Sequence, residues 1–333
     1  MSNIEIPNKL GCRKDSKDKR DYRLSGVSTP IELPSSFELI ELYPPKNQFS
    51  RPSCTSNAQA HHKERQEKRQ SSAPFVMALT KKYEGDDNFG ASTRNTFWVV
   101  KNNGICEEKL DPEPPSNMTW QDYIKVSRIS DEAYKDANDH KSKSFWRIEN
   151  NVESIKQAIY QNKNSVVISQ AWYREFNRPI NGFLPTEFSD YVDGHATDVT
   201  GWSDSRQALL VKNSFGVSWG INGFYWLPYS ILPKILWDAW TSLDMPSKMP
   251  VDDYYGLKRT WDTYMQEKSM AFNPWLYKKI KRLPSDREIK GLVYGRYSFE
   301  AVFTGKVKDI WLKISKMEAI KNKVIDANEN IIA

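Results

Sequence analysis

Cysteine and histidine are scarce in this chain, and long apolar runs are absent from it. Only three cysteines (Cys12, Cys54 and Cys106) and four histidines occur in 333 residues. An odd number of cysteines argues against a disulfide framework. No run of about 18 apolar residues exists, which excludes a transmembrane helix, and the N-terminal residues lack the apolar stretch of a secretory signal. The sequence therefore predicts neither a membrane span nor a signal peptide.

The sequence also lacks the clusters that hold metals or phosphates. No Cys/His cluster of metal-binding spacing and no glycine-rich phosphate loop is present, so we expect no cofactor. The net charge is +6, and most of the excess falls in residues 242–333, which contain 17 Lys/Arg and 12 Asp/Glu. Because cations and anions are mixed there, we expect a solvated surface rather than a nucleic-acid site. The hydrophobic fraction of 39% predicts a folded globular chain.

Four residues in a fixed order supply the groups that cleave an amide bond with a thiolate. They are Gln48, Cys54, His195 and Asn213. A thiol at a helix N-terminus and beside an imidazole is converted to the nucleophilic thiolate, and a side-chain amide can orient that imidazole. Gln48 and the backbone N–H of Cys54 are the donors expected to hold the oxyanion. His195 follows Gly194 in an apolar strand pattern, where a solvated histidine is not expected.

These residues resemble the catalytic set of the papain-like cysteine peptidases. The resemblance is closest to the bacterial and viral branch, in which Thr and an Asn-Ala pair follow the cysteine. Gln48 precedes Cys54 by six residues and His195 follows it by 141, as the family's spacing requires. Phe89–Ile105 resembles the family's Gly-Gly segment, helix and Gly-Ile turn, and Asn213-Ser-Phe-Gly resembles its Asn-Ser-Trp-Gly turn. The resemblance covers 34–235.

The resemblance implies an α+β fold with two lobes, a helical one and an antiparallel β-barrel-like one. It also implies that the chain hydrolyses peptide bonds in polypeptides, with Gly90 and Ala91 holding the substrate backbone. Ile168 is then expected to line the pocket for the second residue before the cut, which predicts a preference for an apolar residue. Trp219 is expected to contact substrate. A member of this branch without a signal or a membrane span is expected in the cytoplasm or in a virus particle.

Three regions differ in pattern along the chain. Residues 1–33 are polar and charge-rich and resemble a short pro-like arm, whereas 34–241 contain the peptidase-like landmarks. Helices are predicted for 54–70, 72–83 and 93–102, and strands for 165–168, 195–202, 208–213 and 223–227. Residues 242–333 are predicted to form an additional α-rich accessory module. A helical apolar stripe runs through 307–327, and it is expected to pack either on the peptidase lobes or on a protein partner.

The helix after Cys54 departs most from the family, because its second half is almost entirely polar. Unpaired polar groups are costly to bury, so this helix either emerges into solvent or is covered by polar contacts from another segment. His61 and His62 are predicted to lie on its surface, and Asp198 to form a salt bridge at the cleft rim. Arg51 stands where secreted relatives carry a bridged cysteine, and it is expected to narrow the cleft or to place a cation near the bound peptide.

Two classes of function fit the sequence. The intact set of Gln48, Cys54, His195 and Asn213 favours an active peptidase. The polar helix, the lack of room for a long helical propeptide and the unassigned 242–333 favour a structural or binding protein. Such a protein, for example a component of a virus particle or of a complex, would retain the fold with little or no proteolysis.

Overall fold

The computed structural model describes residues 10–15, Asp21 and 32–244. Its helices are α1 (Cys54–Glu67), α2 (Ala73–Glu84), α3 (Thr93–Asn103), α4 (Trp120–Tyr123), α5 (Asp131–Asn138), α6 (Val152–Asn162) and α7 (Leu232–Ile235). Its strands are β1 (Cys12–Arg13), β2 (Ser36–Glu38), β3 (Ala91–Ser92), β4 (Ser142–Arg147), β5 (Val166–Tyr173), β6 (Tyr191–Ser203), β7 (Ala208–Lys212), β8 (Phe224–Pro228) and β9 (Leu236–Asp244). The three helices and the four strands that the sequence predicts are all present.

Local capping explains where the helices of the first half begin and end. The Ser72 hydroxyl accepts a hydrogen bond from the Phe75 backbone at the start of α2, and the helix ends at Gly85 in a left-handed conformation. Ser92 caps α3 in the same way through the backbone N–H of Asn95. Helix α1 has no side-chain cap. It begins at Cys54, so this residue lies at the end of the helix where the first backbone N–H groups have no partner within the helix.

The second half forms an antiparallel sheet in the order β4-β9-β5-β6-β7-β8, with β2 added beside β6. Strand β6 is the longest, and its last ten residues are buried. This sheet is open rather than closed into a barrel within the described residues. Strand β9 pairs with both β4 and β5 and extends to Asp244.

Every residue of α1 from Cys54 to Glu64 is buried. His61 accepts a hydrogen bond from the Lys46 backbone, and His62 lies between the hydroxyls of Ser165 and Ser242. The predicted surface location of both histidines is therefore wrong. The polar half of the helix is covered by matching polar groups from other segments.

Charged pairs complete this polar cover. Arg65 contacts both Glu41 and Asp198, and Lys63 pairs with Glu67 at 2.8 Å. Asp198 is fully buried behind α1, so its salt bridge lies in the interior and not at the cleft rim. Removing one partner of a buried pair costs about 3–5 kcal/mol of folding free energy, which makes these contacts mutually dependent.

Two expectations concern residues that the structure describes only in part. The chain divides into the units Met1–Met245 and Pro246–Ala333, and the predicted α-rich module at 242–333 lies outside the described residues beyond Asp244. Of the expected arm at 1–33, the structure describes 10–15, 21 and 32–33. Among the helices of the described residues, none has the length and apolar character needed to cross a membrane.

Candidate active site

The thiol of Cys54 lies where the first turn of α1 meets strand β6. Its Sγ accepts a hydrogen bond of 3.4 Å from the backbone N–H of Ala196, the residue that follows His195. Cys54 is fully buried. The helix and the sheet thus bring together two residues that are 141 positions apart in the sequence.

His195 is held by the side chain of Asn213 on the neighbouring part of the sheet. Its Nε2 lies 2.7 Å from Asn213 Oδ1, and because that oxygen can only accept, Nε2 carries the proton. The Asn213 oxygen also accepts the backbone N–H of Ser214. His195 Nδ1 is buried and has no hydrogen-bond partner among the described residues. This tautomer leaves Nδ1 as the basic nitrogen.

Aromatic rings exclude water from the His195–Asn213 pair. Phe215 stacks on the imidazole with ring centroids 5.0 Å apart, and Trp172 contacts it edge-on at 4.6 Å. Trp219 packs behind Phe215, and its indole donates to the Asn177 carbonyl. Because Trp219 is buried against these rings, it contributes packing to the site, and the structure gives no support to the expected contact with substrate.

Gln48 is fixed from both ends of its amide. The Oε1 atom accepts a 2.6 Å hydrogen bond from the Ser214 hydroxyl, and Nε2 donates to the carbonyls of Arg51 at 2.7 Å and Leu10 at 3.1 Å. Ser214 therefore connects Gln48 to the residue that orients His195. This connection was not predicted from the sequence, where Ser214 is only part of the Asn-Ser-Phe-Gly turn.

The carbonyl oxygen of Leu10 occupies the point where the two expected oxyanion donors converge. It accepts hydrogen bonds from Gln48 Nε2 at 3.1 Å and from the Cys54 backbone N–H at 3.2 Å. Leu10 is fully buried, and the backbone N–H groups of Leu10 and Gly11 donate to Asp193. A segment from the N-terminal arm thus presents a carbonyl to the pair of donors that a substrate carbonyl would need.

Gly90 and Ala91 hold the residues that follow Leu10. The Ala91 backbone N–H donates to the Gly11 carbonyl at 2.9 Å, and β1 pairs in parallel with β3, with Cys12 opposite Ala91. A side chain at Gly90 would overlap the Gly11 carbonyl, and its φ of 75° also favours glycine. These two residues therefore hold an extended backbone, which here belongs to the chain itself.

The side chain of Cys12 lies beside the hydroxyls of two residues that the sequence analysis did not select. Its Sγ is 3.7 Å from Thr93 Oγ1, which in turn accepts a hydrogen bond from Ser169. Successive strand residues face opposite sides of a sheet, so Ile168 faces away from Ser169 and is fully buried in the core. The structure thus locates Ser169, and not Ile168, beside this part of the cleft.

The covered cleft keeps both reacting groups neutral. Burial raises the pKa of the Cys54 thiol well above its usual range. Burial also lowers the pKa of His195 to about 4, although the hydrogen bond to Asn213 opposes this shift. Both shifts follow from the burial of the two side chains, so the thiol and the imidazole are neutral at neutral pH while the cleft is covered.

The sequence match covers the same region as this site. A sequence model of a protein family, the papain family cysteine proteases, matches residues 46–231, which are more than half of the chain. The chain belongs to the papain family of cysteine proteases. Membership of this family makes it a peptidase, and hence a hydrolase.

Curated relatives of this papain-family chain include viral and animal proteins. An uncharacterized peptidase C1-like protein of Acanthamoeba polyphaga mimivirus is 24% identical over 69% of this chain and 84% of its own length. A gut-specific cysteine proteinase of Caenorhabditis elegans is 27% identical over 42% of this chain. The chain spans only 40% of that nematode proteinase.

Solved structures of papain-family proteins share the fold. Xylellain, a cysteine protease from Xylella fastidiosa, matches with a TM-score of 0.63 and 23% identity, covering 73% of this chain and 98% of its own. Procathepsin B S9 from Trypanosoma congolense matches with a TM-score of 0.56 and 15% identity, covering 71% of this chain and 87% of its own. The expected papain-like fold, with its bacterial and viral likeness, is confirmed.

Replacing Asn213 tests its contact with His195. Asn213→Ala is expected to lower kcat for peptide hydrolysis about tenfold or more while KM changes little, because the amide holds the imidazole that is expected to act in the transition state. The matched control is Asn164→Ala, which removes an amide nitrogen 3.1 Å from the buried imidazole of His62. Steady-state kinetics that show an unchanged kcat for Asn213→Ala, or an equal loss for Asn164→Ala, would contradict the role of Asn213.

Proposed function

We propose that this chain is a cysteine peptidase that acts through Cys54, His195, Asn213 and Gln48. His195 Nδ1 takes the proton of the Cys54 thiol, and the thiolate attacks the carbonyl carbon of a peptide bond. The imidazolium then gives this proton to the leaving amine, and water releases the acyl group from sulfur. Asn213 keeps the imidazole in the tautomer that leaves Nδ1 free.

The observation that carries this proposal is the pair of hydrogen bonds received by the Leu10 carbonyl. Gln48 Nε2 and the Cys54 backbone N–H converge on one oxygen at 3.1 and 3.2 Å, beside the thiol. Donors that converge in this way stabilise the negative oxygen that develops during acyl transfer. A general binding cleft has no need for two donors aimed at one carbonyl next to a thiol.

We further propose that the described state is latent, with the N-terminal arm as its inhibitor. The residues that follow Leu10 lie against Gly90 and Ala91, where the residues before the cut are expected to bind. The segment therefore runs opposite to a substrate, and Asp193 holds the backbone on both sides of the Leu10 carbonyl. Departure of the segment would hydrate Cys54 and His195 and return both pKa values towards their ordinary range.

Substrates, partners and location follow only in outline. We propose a polypeptide substrate whose second residue before the cut is small, because Thr93 and Ser169 lie close to Cys12 in this part of the cleft. A peptide-library profile that favours large apolar residues at this position would contradict this preference. We also propose a location in the cytoplasm or in a virus particle, and the viral relative is compatible with a virus particle. A protein partner for 242–333 is likewise a proposal.

Removal of the proposed nucleophile tests the function directly. In chains whose cleft is opened by Gly11→Val, Cys54→Ala is expected to reduce peptide hydrolysis by about 10⁴-fold or more, because it removes the sulfur that would form the acyl intermediate. Cys106→Ala is the matched control, since Cys106 is also a free, buried thiol and belongs to a separate hydrophobic cluster of the helical part. Hydrolysis by the opened chain with Cys54→Ala at the rate of the opened chain that keeps Cys54 would contradict the mechanism.

A bulky residue at position 11 tests the latent state. The backbone of Gly11 has a φ of 98°, and a Cβ there would overlap the carbonyl of Pro52. Overpacking of this kind costs about 1–3 kcal/mol, so Gly11→Val is expected to raise the uncovered population, and with it kcat/KM, about five- to hundredfold. The measurement is hydrolysis of a fluorogenic peptide by the full-length chain.

Gly85→Val is the control for the strain of a side chain at positive φ. Gly85 has a φ of 69°, but a Cβ there meets nothing within 4 Å, so this change is expected to reduce stability without raising activity. Equal rates for the folded Gly11→Val variant and the unchanged chain would contradict latency. If the folded chain is inactive both with and without Gly11→Val, the result would instead favour the alternative of a structural or binding protein.

A further inference from the structure

The side chain of Arg51 is anchored away from the cleft, on the loop that precedes α4. One guanidinium nitrogen contacts Glu113 Oε1 at 2.6 Å, and another donates to the backbone carbonyls of Pro114, at 3.1 Å, and Pro115. The guanidinium carbon also lies 5.0 Å from the centre of the Tyr123 ring. Arg51 is only 3% exposed. The sequence predicted that Arg51 narrows the cleft or presents a cation to a bound peptide. Its side chain does neither.

The backbone of the same residue holds the amide of Gln48. The Arg51 carbonyl accepts one N–H of Gln48 Nε2 at 2.7 Å and the backbone N–H of Ser53 at 2.8 Å. The Arg51 N–H donates back to the Gln48 carbonyl. An amide nitrogen has two hydrogens, so the bond to Arg51 fixes the direction of the second one, which points to the Leu10 carbonyl.

We propose that Arg51 is a positioning residue of the oxyanion site and that its bonds to Glu113, Pro114 and Pro115 set the direction of the Gln48 donor. This inference rests on the proposed function. Only Gln48 contacts the reacting oxygen, and Arg51 acts through it. The planar guanidinium is suited to this task because it bonds to a carboxylate and two carbonyls at once, which a lysine ammonium cannot do with the same geometry.

A positioning role and a merely structural role of Arg51 can be distinguished by their effects on two reactions of Cys54. Hydrolysis of a peptide passes through a tetrahedral oxyanion, so a misdirected Gln48 slows it. Alkylation by iodoacetamide does not pass through an oxyanion. The thiolate sulfur bonds to the methylene carbon as the carbon–iodine bond breaks and iodide leaves. The ratio of the two rates therefore reports on the oxyanion donors alone.

The experiment compares this ratio among full-length chains that all carry Gly11→Val, so that the cleft is open. Arg51→Lys keeps the charge and loses the planar fork. Glu113→Gln keeps the shape of the partner. Burial raises the pKa of the Glu113 carboxyl to about 7, so this carboxyl is partly protonated at neutral pH and its replacement is expected to have the smaller effect. Alkylation is quantified on the peptide that contains Cys54.

Arg69→Lys is the matched control, because Arg69 also contacts a carboxylate and a backbone carbonyl. Its guanidinium bonds to both Asp136 oxygens and to the Ile105 carbonyl, all at 2.9 Å. It follows the C-terminal end of α1, whereas Cys54 begins the helix. Loss of this contact is expected to reduce stability and to leave the ratio of the two rates unchanged.

Arg51→Lys is expected to lower kcat for hydrolysis about tenfold, less than the loss of a whole oxyanion donor, with KM and the alkylation rate each changed less than about twofold. Glu113→Gln is expected to change the ratio in the same direction and carries the test alone if Arg51→Lys does not fold. Parallel losses of hydrolysis and alkylation, an unchanged ratio, or an equal change in Arg69→Lys would overturn the proposal. Failure of the proposed function would appear separately, as hydrolysis that persists in Cys54→Ala.

Discussion

The burial of helix α1 is the constraint on which the rest of the structure depends. The N-terminus of this helix carries Cys54, and its first turns pack against β6, which carries His195. The same helix is polar over most of its length, so it can be buried only where each charge and imidazole meets a partner. Lys46, Glu41 and Asp198 provide such partners. The position of Cys54, the proposed nucleophile, against His195 therefore depends on a set of ionic contacts that lie behind the candidate active site.

Spacing and residue type predicted the papain family and the long helices, because these features depend on local patterns and on the order of a few short motifs. Cover of α1 by polar contacts was one of the two alternatives that the sequence left open, but the partners in these contacts were not predicted. A polar residue in a helix usually indicates solvent, and only the fold reveals that His62 lies between Ser165 and Ser242. Strand β9 was also missed, because its pairing with β4 and β5 joins segments that are distant in the sequence.

Two features of the cleft could not be predicted from the sequence, because they too depend on contacts that only the fold creates. Arg51 is a cation beside a predicted active site, which suggests contact with substrate, yet its side chain points to Glu113 and its backbone holds Gln48. Leu10 belongs to no motif, and it meets Gln48 and the Cys54 N–H through its backbone carbonyl. Backbone atoms leave no pattern in a sequence, so a segment that acts through its carbonyls is found by geometry alone.

The most direct test of the account is the reaction of the full-length chain carrying Gly11→Val with a peptidyl vinyl sulfone, followed by mass mapping of its three cysteines. Burial raises the pKa of all three thiols in the described state, so the unchanged chain is expected to react slowly. A vinyl sulfone reacts with a thiolate in a peptide-binding cleft, and Cys54 is the cysteine whose thiol lies against the residue after His195, so it is expected to form that thiolate once the N-terminal segment has left. The account predicts a single adduct on Cys54. An adduct on Cys12 or Cys106 with Cys54 unmodified would contradict it.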